Sequence, residues 1–356
     1  MKSKKWVLGV LTAYIGVLLM IGGITFVIDP FFHYHAPLNG VYYSYQNDND
    51  VYMNDGIVKH FAYDAVVTGT SMTLNFKTAE VDELFGVNSV RVSFLGEGFK
   101  VINDTLKIAL QETPELKLVI RGVDDAWFIS DANWEGRDSY PEYLYDDNLL
   151  NDVNYLLNKD VVLNRIIPAL IKTAQGVPAD DLDHNGFGGE NLVGKEKLLK
   201  DYERPEKKIK EIDPAETQEY FTYLEKNLDQ NVLQVIEDNP DVTFYLFLPP
   251  YSILWWDQLN QNGVGVLKRR IDLEQYAIER MLEYDNVRLF SFFNNFELVC
   301  NLDNYVDVSH YQGEVNSQIL QWMAAGEYEL TKENYLDYIE TITDFYTSYD
   351  YDAIFE

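Results

Sequence analysis

The sequence predicts an α/β fold built on an open, largely parallel β-sheet and preceded by one membrane-spanning helix. Several short β-rich runs are continuously apolar, as expected for strands buried on both faces of a parallel sheet. These runs are DAVVTG, SVRVSFLG, LKLVIRG, VTFYLFLPP and VRLFSF. Patterns of helical spacing lie between or after them, and this alternation is typical of an α/β sheet. The helical patterns cover Phe99–Leu110, Thr217–Glu237, Val266–Glu283 and, as a last amphipathic helix that packs on the domain, residues 331–349.

The N-terminus carries an uncharged apolar run from Trp6 to Ile28. About 20 apolar residues cross a bilayer as a helix, whereas a secretory signal has an apolar core of about 7–15 residues and a small-residue cleavage site. The run ends in VIDP, which offers no such site. The sequence therefore predicts a signal anchor over residues 1–28 and an extracytoplasmic domain over 29–356, with a cleaved signal peptide as the alternative. The lysines that should stay cytoplasmic are Lys2, Lys4 and Lys5.

The composition limits the partners of this domain. The formal net charge is -30, from 58 acidic and 28 basic residues, and a nucleic-acid partner would need a basic face. Cys300 is the single cysteine, so an internal disulfide is excluded. Histidine and cysteine do not cluster in a metal-ligand pattern. The sequence therefore predicts no metal site, no cofactor and no nucleic-acid binding.

A long segment over residues 130–214 interrupts the strand–helix alternation between the third and fourth predicted strands. Insertions of this length in α/β folds commonly form a lid or a substrate-facing subdomain. Its DLDHNGFGG stretch matches the first half of a calcium loop, but Leu192 stands where a bidentate Glu is required. A solvated acidic turn is favoured over an irregular calcium site. The matching positions are Asp181, Asp183, Asn185 and Gly186.

A small hydroxyl pair ends the first predicted strand. In YDAVVTGTSMTLNF the apolar run stops at Gly69, and Thr70 and Ser71 lead into a helical pattern. Ligands of open α/β sheets bind outside the carboxyl ends of the strands, and a helix start favours developing negative charge. Ser71 is therefore a candidate nucleophile. The same residues also suit an ordinary helix cap, and a nucleophilic serine needs a base.

His310 is the candidate base among five histidines. It lies in NYVDVSHYQGEVNSQI, after the last predicted strand, and so again at the carboxyl edge of the sheet. Asp307 comes three residues earlier, so a turn would bring its carboxylate to the imidazole Nδ1. Nε2 would then be left to accept the serine proton. The alternative is that Ser309 caps a helix and His310 is a surface residue.

In this order along the chain, GTS, the glycines of FLGEG and DVSH resemble the motifs of the SGNH/GDSL hydrolase superfamily. The match covers most of Asp64–Ile319. The resemblance implies a flavodoxin-like three-layer α/β/α sandwich with a central parallel sheet. It also implies a catalytic triad of Ser71, His310 and Asp307, and an oxyanion site made by the backbone N–H groups of Ser71 and of Gly96 or Gly98.

Two positions depart from that family pattern. The first motif is GTS where the family has GDS, although the serine keeps its place. The third motif normally supplies an oxyanion-hole asparagine, but this chain has RGVDDAW, in which Asp124 would stabilise an anion poorly unless protonated or turned away. Arg121 is a substitute candidate. Loss of one such donor typically lowers the rate by about 10²–10³-fold, so hydrolysis, acyl transfer and loss of activity all stay open.

The anchor followed by such a domain is similar to teichoic-acid D-alanylation and polysaccharide O-acetyltransferase-like proteins. That resemblance implies a serine esterase or O-acyltransferase acting on a cell-envelope glycan or teichoic-acid-like polymer, with a membrane-bound O-acyltransferase as a partner. A catalytically degenerate binding or assembly protein is the alternative. Trp255 and Trp256, after LFLPPYS, are candidates for stacking on sugar rings, while packing in the core is the commoner role of such residues.

Overall fold

The computed structural model describes residues 2–45, 50–134, 141–146, 148–183 and 193–356. These residues form two compact units. The N-terminal unit comprises Met1–Ala62 and Asp138–His184, and the sheet unit comprises Tyr63–Arg137 and Asn185–Glu356. The segment predicted as an insertion, residues 130–214, is therefore divided. Its middle belongs to the N-terminal unit, and its two ends belong to the sheet unit.

The sheet unit is built on a six-stranded, mostly parallel sheet in the order β2-β1-β3-β4-β5-β6. The first five strands are parallel to one another, and β6 pairs antiparallel with β5. The order 2-1-3-4-5 is that of flavodoxin-like doubly wound sheets, whose switch point lies between β1 and β3. The strands are β1 (Ala65–Thr70), β2 (Ser89–Phe94), β3 (Leu118–Gly122), β4 (Thr243–Leu248), β5 (Val287–Ser291) and β6 (Glu329–Leu330).

Helices connect these strands and make up most of the N-terminal unit. Two of them continue through π-helical turns, at Val162–Ile166 and Asp229–Leu233. The helices are α1 (Lys2–Ile28), α2 (Asp50–His60), α3 (Thr78–Phe85), α4 (Phe99–Glu112), α5 (Val153–Leu156), α6 (Lys159–Val161), α7 (Ile167–Ala174), α8 (Lys195–Asp201), α9 (Pro214–Leu228), α10 (Gln234–Glu237), α11 (Ile253–Gln261), α12 (Val264–Met281), α13 (Phe296–Cys300), α14 (Gly313–Ala325) and α15 (Tyr335–Ser348).

The apolar runs of the sequence are the buried strands of this sheet. All residues of β1, β2 and β3 are buried, which explains why these strands read as continuous apolar runs rather than as alternating ones. Burial on both faces follows when crossover helices cover a parallel sheet. The carboxyl ends of β1 and β3 consequently meet at the switch point, where a crevice is expected.

The C-terminal helix α15 packs on the sheet unit through buried polar contacts as well as apolar ones. The Tyr338 hydroxyl donates to Glu274 Oε1 of α12 at 2.6 Å and lies 2.6 Å from the Ser291 hydroxyl of β5. Burial raises the pKa of Glu274 to about 8. Tyr346 reaches the Phe293 carbonyl oxygen at 2.6 Å. These contacts hold α15 against the sheet unit. Packing on the domain is the role that the sequence predicts for residues 331–349.

Helix α1 is long and apolar enough to cross a membrane. The most apolar stretch of its span Ser3–Ile28 has a mean hydropathy of 2.3, and none of the residues in that stretch is buried. At its end, Asp29 is fully buried and accepts hydrogen bonds from the backbone N–H groups of Tyr34 and His35 and from the Tyr155 hydroxyl. The aspartate thus closes the turn after the helix and ties it to α5's Tyr155.

Candidate active site

Ser71 begins a 3-10 turn, Ser71–Thr73, directly after β1. The turn is possible because Gly69 has a φ of +149°, and a Cβ atom there would lie 2.6 Å from Thr73 Cγ2. Gly122 of β3 lies beside it, with its backbone nitrogen 3.2 Å from the same position. The Thr70 hydroxyl accepts from the Met72 N–H at 3.3 Å. Thr70 is therefore the cap of this turn, which leaves the Ser71 hydroxyl available for another partner.

His310 lies in the loop between α13 and α14, after the 3-10 turn Leu302–Asn304. Tyr305 and Tyr311 form an antiparallel bridge, and the Val306 N–H donates to the His310 carbonyl oxygen at 2.8 Å. The Ser252 hydroxyl, at the start of α11, donates to the Val308 carbonyl oxygen at 2.6 Å. The loop that carries His310 is therefore held by hydrogen bonds between its own two arms and by the hydroxyl of Ser252, which follows β4.

The three predicted residues form a hydrogen-bonded series. Ser71 Oγ lies 2.7 Å from His310 Nε2, and His310 Nδ1 lies 2.7 Å from Asp307 Oδ2. A carboxylate accepts, so the second contact places the imidazole proton on Nδ1. Nε2 is then an acceptor for the serine hydroxyl. This arrangement has the geometry required of a nucleophile, its base and the group that orients the base.

Asp307 is held as a carboxylate. Burial by itself would raise its pKa. The hydrogen bond and positive charge of His310, together with the backbone N–H groups of His310 and Ser309, have the larger opposite effect and lower the pKa to about 2. Those N–H groups donate to Asp307 Oδ1 at 2.8 and 2.9 Å. The other oxygen, Oδ2, faces the imidazole. The group is therefore ionised at neutral pH and positioned to stabilise an imidazolium.

Asp124, the doubtful oxyanion residue, lies behind the serine turn at the end of β3. It is buried, and its oxygens accept from the Thr70 hydroxyl at 2.8 Å and the Tyr251 hydroxyl at 2.9 Å. Burial raises its pKa to about 6, against the effect of those two hydrogen bonds. The carboxylate is thus an acceptor for the residue that caps the turn. In its ionised form it has no proton to donate to an oxyanion.

The neighbouring charged residues of RGVDDAW have separate environments. Asp125 is buried, and its Oδ2 accepts from Arg270 Nε of α12 at 2.9 Å. Arg121 is also buried and lies over the ring of Phe99, 5.8 Å from its centroid. Burial lowers the pKa of Arg121 to about 9. Its three guanidinium nitrogens have no hydrogen-bond partner in the described part of the chain, and its role as a substitute oxyanion donor stays a prediction.

The glycine loop after β2 leads into α4. Gly96 has a φ of +70°, and Gly98 is the N-cap residue of the helix, where it makes no side-chain cap. A Cβ atom on Gly98 would lie 2.6 Å from the ring of Trp134, so this position has no room for a side chain. The assignment of the Gly96 or Gly98 N–H to an oxyanion site stays a prediction.

The two tryptophans after β4 differ in burial. Trp256 is fully buried and stacks on Tyr346 with ring centroids 3.7 Å apart. A fully buried ring has protein on both faces. Trp256 therefore packs in the core and has no free face to stack on a sugar. Trp255 is half-buried and lies 5.5 Å from the Arg270 guanidinium. Trp255 stays a candidate for contact with substrate.

Replacement of Trp256 by alanine should lower the free energy of unfolding by about 3–5 kcal/mol, because a large buried aromatic side chain is lost and a cavity remains. Urea unfolding of the purified protein, followed by circular dichroism, measures the change. Trp255→Ala is the matched control. It removes the same side chain from a half-buried position, so a loss as large as that of Trp256→Ala would contradict the burial difference.

Sequence reasoning missed the residues that fix the serine turn from outside the motifs. Asn316 Nδ2 of α14 donates to the Met72 carbonyl oxygen at 3.0 Å, and the Tyr311 hydroxyl approaches the same oxygen at 3.4 Å. Tyr251 acts through Asp124 on Thr70. Asn316 stands six residues after His310 in the same segment. That proximity to His310 could have marked Asn316 as a candidate site residue, but the sequence does not show where its side chain points.

The Asp124 carboxyl gives a test of this network by pH. Its folded-state pKa of about 6 lies above the ordinary value of 3.8 for an aspartate, so the folded protein loses stability as pH rises from about 4 to 6 and no further above that. Asp124→Asn removes the titration. The difference in free energy of unfolding, variant minus wild type, should therefore rise by up to about 3 kcal/mol across this window. A difference that stays constant from pH 4 to 7 would contradict the assignment.

Among the described residues, no group of three or more His, Cys, Asp or Glu side chains is arranged to hold a metal ion. Of the calcium-loop positions, Asp181 and Asp183 are described, and the Asp183 N–H donates to Asp181 Oδ1 at 3.0 Å. Asn185, Gly186 and Leu192 lie outside the described residues.

Comparisons with known proteins leave the family open. No protein-family model matches this chain, and no curated protein matches it significantly. A solved structure from Streptococcus pneumonia, described provisionally as a platelet activating factor, is 11% identical in sequence. The match covers 82% of this chain and 92% of that one, with a TM-score of 0.35. A likeness this low supports no statement about fold or function.

Proposed function

We propose that this protein is a membrane-anchored serine esterase or O-acyltransferase of the SGNH type. The observation that carries the proposal is the series Ser71–His310–Asp307, with both side-chain contacts at 2.7 Å. The strand order 2-1-3-4-5 and the place of Ser71 after β1 support it, because ligands of such sheets bind at the carboxyl ends of the strands near the switch point.

Acylation begins when Ser71 Oγ attacks the carbonyl carbon of an ester and His310 Nε2 takes the hydroxyl proton. The resulting imidazolium is stabilised by the Asp307 carboxylate through Nδ1–H. The negative charge that develops on the carbonyl oxygen needs preorganised donors. We assign these to the backbone N–H of Ser71 and to that of Gly96 or Gly98. Collapse of the intermediate expels the alcohol, which receives the proton from His310, and leaves an acyl ester on Ser71.

Deacylation repeats these steps with a new nucleophile. His310 removes a proton from water in an esterase, or from an acceptor hydroxyl in a transferase, and the attacking oxygen replaces Ser71 Oγ on the acyl carbon. The substrate class comes from the motif resemblance and the anchor: an acylated cell-envelope glycan or teichoic-acid-like polymer on the extracytoplasmic side. A membrane-bound O-acyltransferase is the proposed partner, and residues of the 130–214 segment are proposed to shape the acceptor cleft.

Covalent labelling tests the proposal. The full-length protein in detergent is treated with a fluorophosphonate probe, digested and examined by mass spectrometry. An adduct on the peptide that contains Ser71 is expected, since phosphonylation needs an activated serine. An unlabelled wild-type protein that is folded by circular dichroism would contradict the proposal. A chromogenic acetyl ester, assayed with and without a soluble glycan, then separates hydrolysis from transfer through the appearance of acetylated glycan.

A binding or assembly role on the same fold is the second candidate, and one observation favours it. Asp124 stands where the family has an oxyanion-hole asparagine, and it accepts two hydrogen bonds instead of offering one. A site without that donor would hold an acylated polymer and react with it slowly or not at all. This role predicts no probe labelling in the wild type, together with retained binding of the envelope polymer in a sedimentation assay.

A further inference from the structure

The N-terminal unit exposes apolar side chains beyond those of α1. Leu150 is 87% exposed and Leu149 is 75% exposed, as much as Leu19 in the middle of α1 at 72%. Isolated exposed apolar residues are normal, but a contiguous group of them marks an interaction surface. The exposed group in residues 148–177 consists of Leu149, Leu150, Val153, Leu163, Ile167, Leu170, Ile171 and Val177.

Part of this group forms an apolar groove of about 670 Å³ together with α1. Helix α1 passes close to this side of the groove, since a Cβ atom built on Gly22 would lie in ordinary van der Waals contact with Leu157 Cδ2, at 3.6 Å. Its α1 side is Ile15, Leu18, Leu19, Gly22, Gly23 and Phe26, and its other side is Leu149, Leu150, Val153, Leu156 and Leu157.

The position of the groove along α1 gives its depth. Asp29, at the end of α1, holds the Tyr155 hydroxyl at 2.8 Å, so α5 begins its contact where the apolar span ends. At 1.5 Å per residue, the stretch from Ile15 to Phe26 is roughly 16 Å long, about half of the ~30 Å hydrocarbon layer. If α1 crosses a membrane, the groove faces the lipid leaflet on the side of the folded units.

The helical part of the segment has the pattern of an interfacial helix. Within α7, Ile167, Leu170 and Ile171 follow the spacing i, i+3 and i+4, which places them on one helix face. Leu163 is exposed in the π-helical turn that precedes them. Such a face inserts into the boundary between headgroups and acyl chains.

The polar groups at the tip of the segment bond to one another. Asp146 accepts from the Asn148 N–H at 2.9 Å and from Asn151 Nδ2 at 2.7 Å. These hydrogen bonds hold the turn that leads into Leu149 and Leu150.

We propose that residues 148–177 form a second membrane contact, in which the groove beside α1 is filled by the acyl chains of bilayer lipids. The occupant is lipid because the groove continues the exposed apolar surface of the proposed anchor α1 and lies at the depth of its apolar stretch. The inference rests on α1 as a membrane span and is independent of the catalytic proposal.

Depth-dependent fluorescence quenching tests this contact in the full-length protein. Leu150→Cys and Ile167→Cys, each in a Cys300→Ser background, are labelled with an NBD fluorophore and reconstituted in phosphatidylcholine vesicles with or without doxyl-labelled lipid. We expect quenching comparable to that of a label at Leu19→Cys and several-fold greater than that at Lys332→Cys, an exposed position of the sheet unit. Near-UV circular dichroism checks each variant, and Val153→Cys replaces any variant that fails to fold.

Other outcomes overturn the inference. Quenching at positions 150 and 167 no greater than at Lys332 would place the segment in water. Blue-shifted emission that doxyl lipids do not quench would show that a protein surface, from a second copy or another chain, covers the groove instead. Absence of quenching at Leu19 itself would remove the membrane span on which the inference rests. Fluorophosphonate labelling of Ser71 is read separately and is unaffected by these outcomes.

Discussion

Ser71→Ala should abolish fluorophosphonate labelling and lower kcat/KM for a chromogenic acetyl ester by roughly 10⁴-fold or more. The reason is that the hydroxyl, 2.7 Å from His310 Nε2, is the proposed site of covalent attachment. Removal of one oxygen atom from a half-buried position should leave the fold intact. Activity is measured with purified full-length protein, and the melting temperature is measured alongside it.

Ser348→Ala is the control for that change, since Ser348 lies on the surface of α15 and its hydroxyl donates to the Asp344 carbonyl oxygen. It should keep wild-type labelling and activity. Undiminished labelling of Ser71→Ala would show that the probe modifies a different residue, and the assignment of the nucleophile would fail. Equal loss in both variants would point to loss of folding rather than of chemistry.

Asp307→Asn should lower kcat/KM by roughly 10²- to 10⁴-fold while leaving KM nearly unchanged. The amide can offer its N–H₂ to His310 Nδ1, which would turn the imidazole into the tautomer with its proton on Nε2. That nitrogen could then no longer accept the serine proton. The wild-type carboxylate has a pKa of about 2, so the effect should persist across the neutral pH range. Steady-state kinetics from pH 5 to 9 measure it.

Asp337→Asn, a change of the same kind on the exposed face of α15, is the control and should leave kcat/KM unchanged. Asp307 is half exposed, so its replacement should shift the melting temperature little. A variant that retains wild-type kcat/KM would show that Asp307 does not orient the base. A large fall in melting temperature would instead assign the residue to the stability of the loop.

The sheet was predictable because burial on both faces leaves a continuous apolar signature in each parallel strand. The five runs read from the sequence contain β2 to β5 whole and β1 except for its last residue, Thr70. The two-residue strand β6 has no such signature, since two residues carry no periodicity. The N-terminal unit was not predicted either. Its two segments, up to Ala62 and from Asp138, are brought together by helix packing, and helical periodicity does not say which helix is the partner.

The placement of Ser71, Asp307 and His310 followed from the rule that parallel strands end at one edge of a sheet. The structure brings these side chains within hydrogen-bond distance. The environment of Asp124 did not follow. Its partners Thr70 and Tyr251 come from other strand ends, 54 and 127 residues away in sequence. From the sequence, a carboxylate in place of an amide indicated only the loss of a hydrogen-bond donor. In the structure, the same carboxylate accepts a hydrogen bond from Thr70, the residue that caps the serine turn.

The discontinuity of the N-terminal unit bears on how a soluble form of this protein can be made. A truncation that begins at Pro30 would remove Asp29 and with it the acceptor of the Tyr155 hydroxyl. It would also remove the α1 side of the groove that Leu156 and Leu157 line. Removal of α1 would thus expose apolar surface more than a hundred residues away in sequence. Such a fragment should aggregate unless the 138–184 segment is shortened with it.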